Sequence, residues 1–273
     1  MSEEKKHEHG QESKTITIKR DTIWKSTVFI LLVLLVVSIF TAGFGLVKPS
    51  GYATAGNNAN AGAATNANSN SGSTGSGDTS VITADPNLFP QLGPANAKYT
   101  VIELGDFQCP YCAMASGLPN WTSQYASQYG SLIGSAKAME TLAEQGKIRF
   151  IFVPLSFLGQ ESVNAAQAGF CALQQSNDLF WKMHDAIYSA STGPQEDTGK
   201  YSVPNLEKIA AGISGMNTGK FNSCLENGDT ANQVSQVMTK VQGAGFQIAT
   251  PQFFVNGQSV TPSTSALMSA VGQ

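Results

Sequence analysis

Phe107-Gln108-Cys109-Pro110-Tyr111-Cys112 follows directly on the apolar run Tyr99-Thr100-Val101-Ile102-Glu103-Leu104. The first run reads as a strand and the second as the start of a helix. The first N–H groups of a helix are unpaired and its dipole favours negative charge there. A cysteine in that place ionises more easily than a free one, whose pKa is about 8.5. A second cysteine three positions on can close a small ring with it. The pattern is suited to disulfide exchange. Half a zinc site is the competing reading, and it needs two further ligands. His184 is the only histidine in the folded part, so zinc would have to recruit Cys171 and Cys224, which lack paired spacing.

The segments beyond set the fold class. Ser135 to Gln145 is helix-prone and Gly146 is its natural stop. Lys147 to Leu155 is a second strand, so this half is a strand–helix–strand crossover. Pro119 is expected to end or kink the helix that starts at Cys109. Helical patterns fill Ser162 to Ser189, Asn205 to Ile213, Thr218 to Glu226 and Thr230 to Gly243, separated by Gly- and Asn-rich turns. Pro251 to Gly257 then reads as a strand entering an Asn-Gly turn, with Gln258 to Thr261 pairing back and Ser263 to Val271 closing as a helix. That order is α/β: a thioredoxin fold over residues 84–273 with an inserted helical domain at about 158–245. A proline heading the hairpin strand of such a fold faces the cysteines in cis, so Thr250-Pro251 is expected in that form.

The first 83 residues of the 273 look nothing like a core. Ser26 to Val47 is an uncharged apolar run of 22 residues, roughly 33 Å long as a helix and enough to cross a bilayer. Residues 1–25 hold Lys5, Lys6, Lys14, Lys19, Arg20 and Lys25, and after Lys48 no basic residue appears until Lys98. This asymmetry predicts a cytoplasmic tail over 1–25, a single-pass transmembrane anchor over 26–47 and an extracytoplasmic C-terminal part. A cleaved signal peptide competes, but its apolar region is about 7–15 residues. Residues 48–83, almost wholly Gly, Ala, Asn, Ser and Thr over most of their length, read as a disordered linker, because they cannot bury enough apolar surface to offset ordering entropy.

From Lys48 onward the chain carries 10 Lys and Arg against 14 Asp and Glu, with no basic patch. Nucleic acid is therefore not an expected partner. All four cysteines lie in the exported part, where disulfides persist. Four cysteines allow three pairings, and the tight spacing of Cys109 and Cys112 makes Cys171–Cys224 the natural second pair. That bond would close a loop of about 54 residues, worth roughly 4 kcal/mol in the chain-entropy picture. A second redox relay and free buried thiols are the alternatives.

Glu103, six residues before Cys109, is either a strand end facing water or a buried carboxylate beneath the cysteines that takes the proton of Cys112. Asp106 reads as a turn or cap residue and His184 as a packed one. His7 and His9 belong to a charged tail. Asn120-Trp121-Thr122 is a sequon by chance. No metal site is expected.

Four motifs taken in order resemble the DsbA-like thiol–disulfide oxidoreductases. They are Gln91-Leu92-Gly93-Pro94 leading to Cys112, Phe180-Trp181-Lys182-Met183-His184-Asp185-Ala186, Phe221-Asn222-Ser223-Cys224-Leu225, and Thr250-Pro251-Gln252-Phe253-Phe254-Val255-Asn256-Gly257. The resemblance implies donation of disulfides to unfolded or reduced exported proteins. Cys109 would be the exposed sulfur attacked by substrate and Cys112 the resolving one. Thr250 and Pro251 would line the substrate groove, and Glu103 would be the buried carboxylate. No cofactor is implied beyond the redox-active Cys109–Cys112 disulfide, restored by a quinone-linked membrane thiol oxidase of the DsbB or VKOR kind. The dipeptide Pro110-Tyr111 departs from the Pro-His of the best-known DsbA and matches glutaredoxins. An isomerase or reductase of the same fold, or a non-catalytic surface domain binding metal or a partner, are the rival functions.

Overall fold

Side chains along a strand alternate between the faces of a sheet, and here that alternation decides what lies beneath the cysteines. In the computed structural model, which describes residues 77–273, β1 (Gln91–Leu92), β2 (Thr100–Asp106), β3 (Arg149–Leu155), β4 (Gln252–Val255) and β5 (Gln258–Val260) form one sheet in the order β1-β3-β2-β4-β5. β2 and β3 run parallel, in the register Ile102↔Ile151 and Glu103↔Phe152. β4 returns antiparallel to β2 with Glu103↔Phe253. Val101, Phe150, Phe152, Phe253 and Val255 face one core, which also holds Cys109 and Cys112. Ile102, Leu104, Ile151, Val153 and Phe254 face the other, packed by Val234, Val237 and Val241. Glu103, between Ile102 and Leu104 in sequence, therefore lies on the cysteine side.

The helices in chain order are α1 (Ser80–Thr83), α2 (Pro110–Ser116), α3 (Ala126–Tyr129, entered by a 3-10 turn at Asn120–Tyr125), α4 (Ser135–Glu144), α5 (Gln160–Leu173), α6 (Asn177–Ser189), α7 (Val203–Ala211), α8 (Thr218–Asn227), α9 (Ala231–Gly243) and α10 (Thr264–Ala270). α5 to α9 lie between β3 and β4. Together they give a thioredoxin-like α/β fold.

Three boundaries differ from expectation. α2 stops at Ser116, before Pro119, because Gly117 takes the left-handed conformation (φ 65°) and its N–H caps the carbonyl of Met114. The short β1, which periodicity cannot reveal in two residues, pairs antiparallel with β3. The folded part also begins earlier than residue 84: Ser80–Thr83 is a helical turn whose Ile82 is buried in the second core. A Gly/Ser-rich composition masks that single apolar anchor. Among the described residues no helix is long and apolar enough to cross a membrane. The anchor assigned to 26–47, the tail at 1–25 and the linker up to residue 76 lie outside the described residues.

A candidate redox site at the start of a helix

Cys109 is the N-cap of α2, extended at φ −63° and ψ 120°, with Pro110 at the first helical position. Proline is at home there, since its missing N–H would have no helical partner. Both cysteines are free thiols. Cys112 is fully buried and Cys109 is 4 % exposed, so Cys109 is more enclosed than the exposed sulfur expected from sequence, though it is the one that reaches the surface. Tyr111, between the two, is 43 % exposed and its ring meets Tyr129 edge-on at 5.5 Å.

Thr250–Pro251 is a cis peptide bond, and the Thr250 carbonyl oxygen accepts from Cys109 Sγ at 3.6 Å. The hairpin strand thus delivers its first residues to the reactive sulfur. Hydrogen bonding from the Cys112 thiol does most to bring the Cys109 thiol down from its ordinary 9.0 to about 7. Thr250 and the backbone N–H groups of Cys112 and Tyr111 help, while burial opposes. Burial, then the neighbouring Cys109, pushes Cys112 well up. The pair is split: one sulfur ionises near neutrality and the other holds its proton.

Glu103 lies beneath them, 2 % exposed, so the reading of a strand end facing water is excluded. Burial, and after it the charge of Glu140, raises its pKa well above the carboxylate range.

Asp106 and Gln108 pin the turn that carries Cys109. Asp106 Oδ1 accepts from Gln108 N (2.9 Å) and Ser162 Oγ (2.6 Å), and Oδ2 accepts from Phe157 N (3.0 Å) and Leu158 N (3.4 Å). It is a turn-holding carboxylate that saturates four donors. Replacing one oxygen with NH2 sets donors against donors, so Asp106→Asn should lower unfolding stability by about 2–4 kcal/mol in urea melts. An unchanged midpoint would show that the turn holds without it. Gln108 clamps Asp197 in two directions: its Nε2 donates to Asp197 Oδ1 (3.1 Å) and its Oε1 accepts from Asp197 N (2.7 Å). Asp197 adopts φ 50°, and Gly159 (φ 104°) sits where a Cβ would strike its carboxylate at 2.8 Å. Neither Gln108 nor Asp197 stands out in the sequence. The position of Gln108 directly before Cys109 is the only signal.

Away from this site Cys171 on α5 and Cys224 on α8 are joined by a disulfide, with Cα atoms 5.9 Å apart. His184 is buried against Phe152 (4.7 Å between rings), Trp181 (5.0 Å) and Tyr188 (5.0 Å), with Nδ1 on Asp185 at 2.9 Å.

A family model described as thioredoxin matches residues 132–271. That span holds Pro251 and the Cys171–Cys224 bond but begins beyond Cys109 and Cys112. A Bacillus cereus protein named probable disulfide bond formation protein D is 26 % identical over 184 residues, covering 66 % of this chain and 76 % of that protein. The solved structure of oxidised BdbD from Bacillus subtilis superposes with a TM-score of 0.53 at 21 % identity, over 68 % of this chain and 92 % of that one, a likeness of fold. A thioredoxin-like oxidoreductase from Silicibacter pomeroyi superposes with a TM-score of 0.51 at 25 % identity, over 71 % and 95 % of the two chains.

Proposed function

This chain belongs to the thioredoxin family and is a thiol–disulfide oxidoreductase, and from that premise we propose that it introduces disulfide bonds into exported proteins through Cys109 and Cys112. The observation that carries the reading is the placement of the pair: Cys109 opens α2 with its Sγ on the Thr250 carbonyl oxygen of the cis Thr250–Pro251 bond, and Cys112 is fully buried behind it.

In the oxidised enzyme a substrate thiolate attacks Cys109 Sγ. The Cys109–Cys112 bond breaks, a substrate–Cys109 bond forms, and Cys112 leaves as a thiolate that takes a proton. A second substrate thiolate attacks the substrate sulfur, the substrate disulfide forms, and Cys109 departs as a thiolate. A leaving thiol of low pKa departs faster, which is what the lowered Cys109 supplies. Thr250 and Pro251 line the groove in which the substrate chain lies. Glu103 exchanges the proton of Cys112, giving it when Cys112 leaves and taking it when Cys112 closes the ring again. The electron carrier in this reading is the disulfide itself. The anchor at 26–47 holds the domain on the outer face of the membrane, where a quinone-linked thiol oxidase of the DsbB or VKOR kind reoxidises it. The disulfide-forming name of the Bacillus cereus relative supports this direction.

A reductase or isomerase is the second reading, favoured by one observation: Cys109 falls to about 7, the thioredoxin value and not the about 3.5 of DsbA. A test of direction is to mix the oxidised full-length chain with a reduced, unfolded secreted protein and count thiols. One disulfide gained by the substrate per chain reduced supports donation. No transfer from the oxidised chain, with transfer of reducing equivalents from the reduced chain, supports the second reading.

Because the folded pKa of Cys109 lies below its ordinary 9.0, its thiolate stabilises the reduced protein fully above about pH 9. That contribution is lost as pH falls through about 7. Thiolate absorbance of the reduced chain should therefore titrate with a midpoint near pH 7. Cys112→Ala removes the principal donor and should move that midpoint upward. A midpoint of about 9 in the unaltered chain would contradict the site described above.

A further inference from the structure

Buried polar atoms in folded proteins nearly all have partners. Among the described residues six buried side-chain atoms have none, and three of them are Glu103 Oε2, Glu140 Oε1 and His184 Nε2. These three lie on one side of the sheet. Glu103 neighbours Phe152 in register, the Phe152 ring packs on His184 at 4.7 Å, and donor atoms of Glu140, His184 and Asp185 all fall within 4.8 Å of one another.

The rest of that cluster is a continuous polar chain. Glu140 Oε2 meets Lys137 Nζ at 2.8 Å, Lys137 Nζ meets Asp185 Oδ2 at 3.0 Å, and Asp185 Oδ1 meets His184 Nδ1 at 2.9 Å. Its middle reaches water, since the Lys137 and Asp185 side chains are each 36 % exposed. Its two ends, Glu140 Oε1 and His184 Nε2, are buried on the side of the sheet where Glu103 lies. Lys137 already supplies the positive charge between the two carboxylates, so the cluster is built as an ion-pair network and not as a cation site. α4 and α6, which carry these four residues, both pack on the cysteine helix α2.

We propose that Glu140 and His184 carry protons between Glu103 and the solvent-exposed Lys137–Asp185 pair, a route to water separate from the cysteine face. The proposal rests on the reading of Glu103 as the group that exchanges the Cys112 proton. In each turnover Cys112 gains one proton as it leaves Cys109 and loses one as it closes the ring. Cys112 is fully buried, Glu103 almost so, and substrate covers the face beside Cys109 at that moment. When substrate attacks, Glu103 gives its proton to Cys112 and is refilled through Glu140 or His184 and buried water by a proton taken from solvent at the exposed end. When Cys112 closes the ring, Glu103 takes its proton and one passes outward by the same groups. Glu140 also faces Glu103 as a like charge, while Lys137 and Asp185 set the balance on Glu140. Cys109, Cys112 and Tyr188 are the other titratable groups facing Glu103.

The test is the rate at which Cys112 resolves a Cys109–glutathione mixed disulfide in the full-length chain, followed by stopped flow across the pH range in H2O and D2O. Glu103→Gln should remove the acid limb of the profile. Glu140→Gln should slow resolution about tenfold, enlarge the solvent isotope effect and move the acid limb to lower pH, since the like charge that raises Glu103 is gone. Lys137→Met, which leaves the buried Glu140 carboxylate without its cation, should slow resolution in the same sense and lower the urea midpoint, with rates compared without urea at a temperature where the variant is folded. Glu140→Gln and Lys137→Met both at the parent rate and limb, with Glu103→Gln still effective, would overturn the route and leave Glu103 exchanging through the cysteine face. An acid limb that survives Glu103→Gln would overturn the reading of Glu103 and the route with it.

Discussion

Cys109→Ser is expected to bring disulfide transfer to background, a loss of at least about 10³-fold, and Cys112→Ser is expected to give a different failure of comparable size. The asymmetry follows from burial. Cys112 is fully enclosed and held protonated, so no substrate sulfur reaches it in the Cys109→Ser protein. In Cys112→Ser the Cys109 sulfur still reacts with an oxidised partner, but nothing resolves the product. Mixed disulfides with substrate and with the reoxidising partner should accumulate as reductant-sensitive bands on gels. Equal trapping by both variants would mean that the two sulfurs are interchangeable, against the geometry of α2.

The second large effect lies away from this chemistry. Removing both Cys171 and Cys224 as alanines should lower unfolding stability by about 4 kcal/mol, or the melting temperature by roughly 10 °C. The two are 53 positions apart and tie α5 to α8 across the insertion. The double change avoids a lone thiol that could pair with Cys109. At temperatures where the variant stays folded, the thiolate midpoint of Cys109 should remain near pH 7, because the polar neighbours of the two bonded sulfurs are Thr230 and Gln174 and not groups of the site. A midpoint shifted by a full pH unit would show that the insertion sets the reactivity of Cys109.

Much of this site is legible in the sequence because its parts are local. A cysteine pair at fixed spacing after a strand, a proline heading a hairpin strand, and apolar runs of different period each carry their signal within a few residues. The Cys171–Cys224 bond is legible by pairing the remaining cysteines. What escapes depends on distant residues meeting. Lys137, Glu140 and Asp185 carry no signal of their own, since charged residues on helices face water by default. Only in the folded chain is Glu140 buried, on Lys137, which in turn meets Asp185 of α6. The Gln108–Asp197 clamp spans 89 positions and joins an amide to a loop with no motif. Asp106 reads correctly as a turn residue, yet its four donors come from three separate segments. The exposure of Cys109 is overestimated from sequence because the Thr250-Pro251 segment, distant in the chain, lies against its sulfur.

The most direct test of disulfide donation is the reduction potential of the Cys109–Cys112 pair, equilibrated in glutathione buffers with the Cys171–Cys224 bond intact. Disulfide donation predicts a value between the about −120 mV of DsbA and the about −200 to −230 mV of glutaredoxins. A value near the about −270 mV of thioredoxin would make the chain a reductant and contradict it.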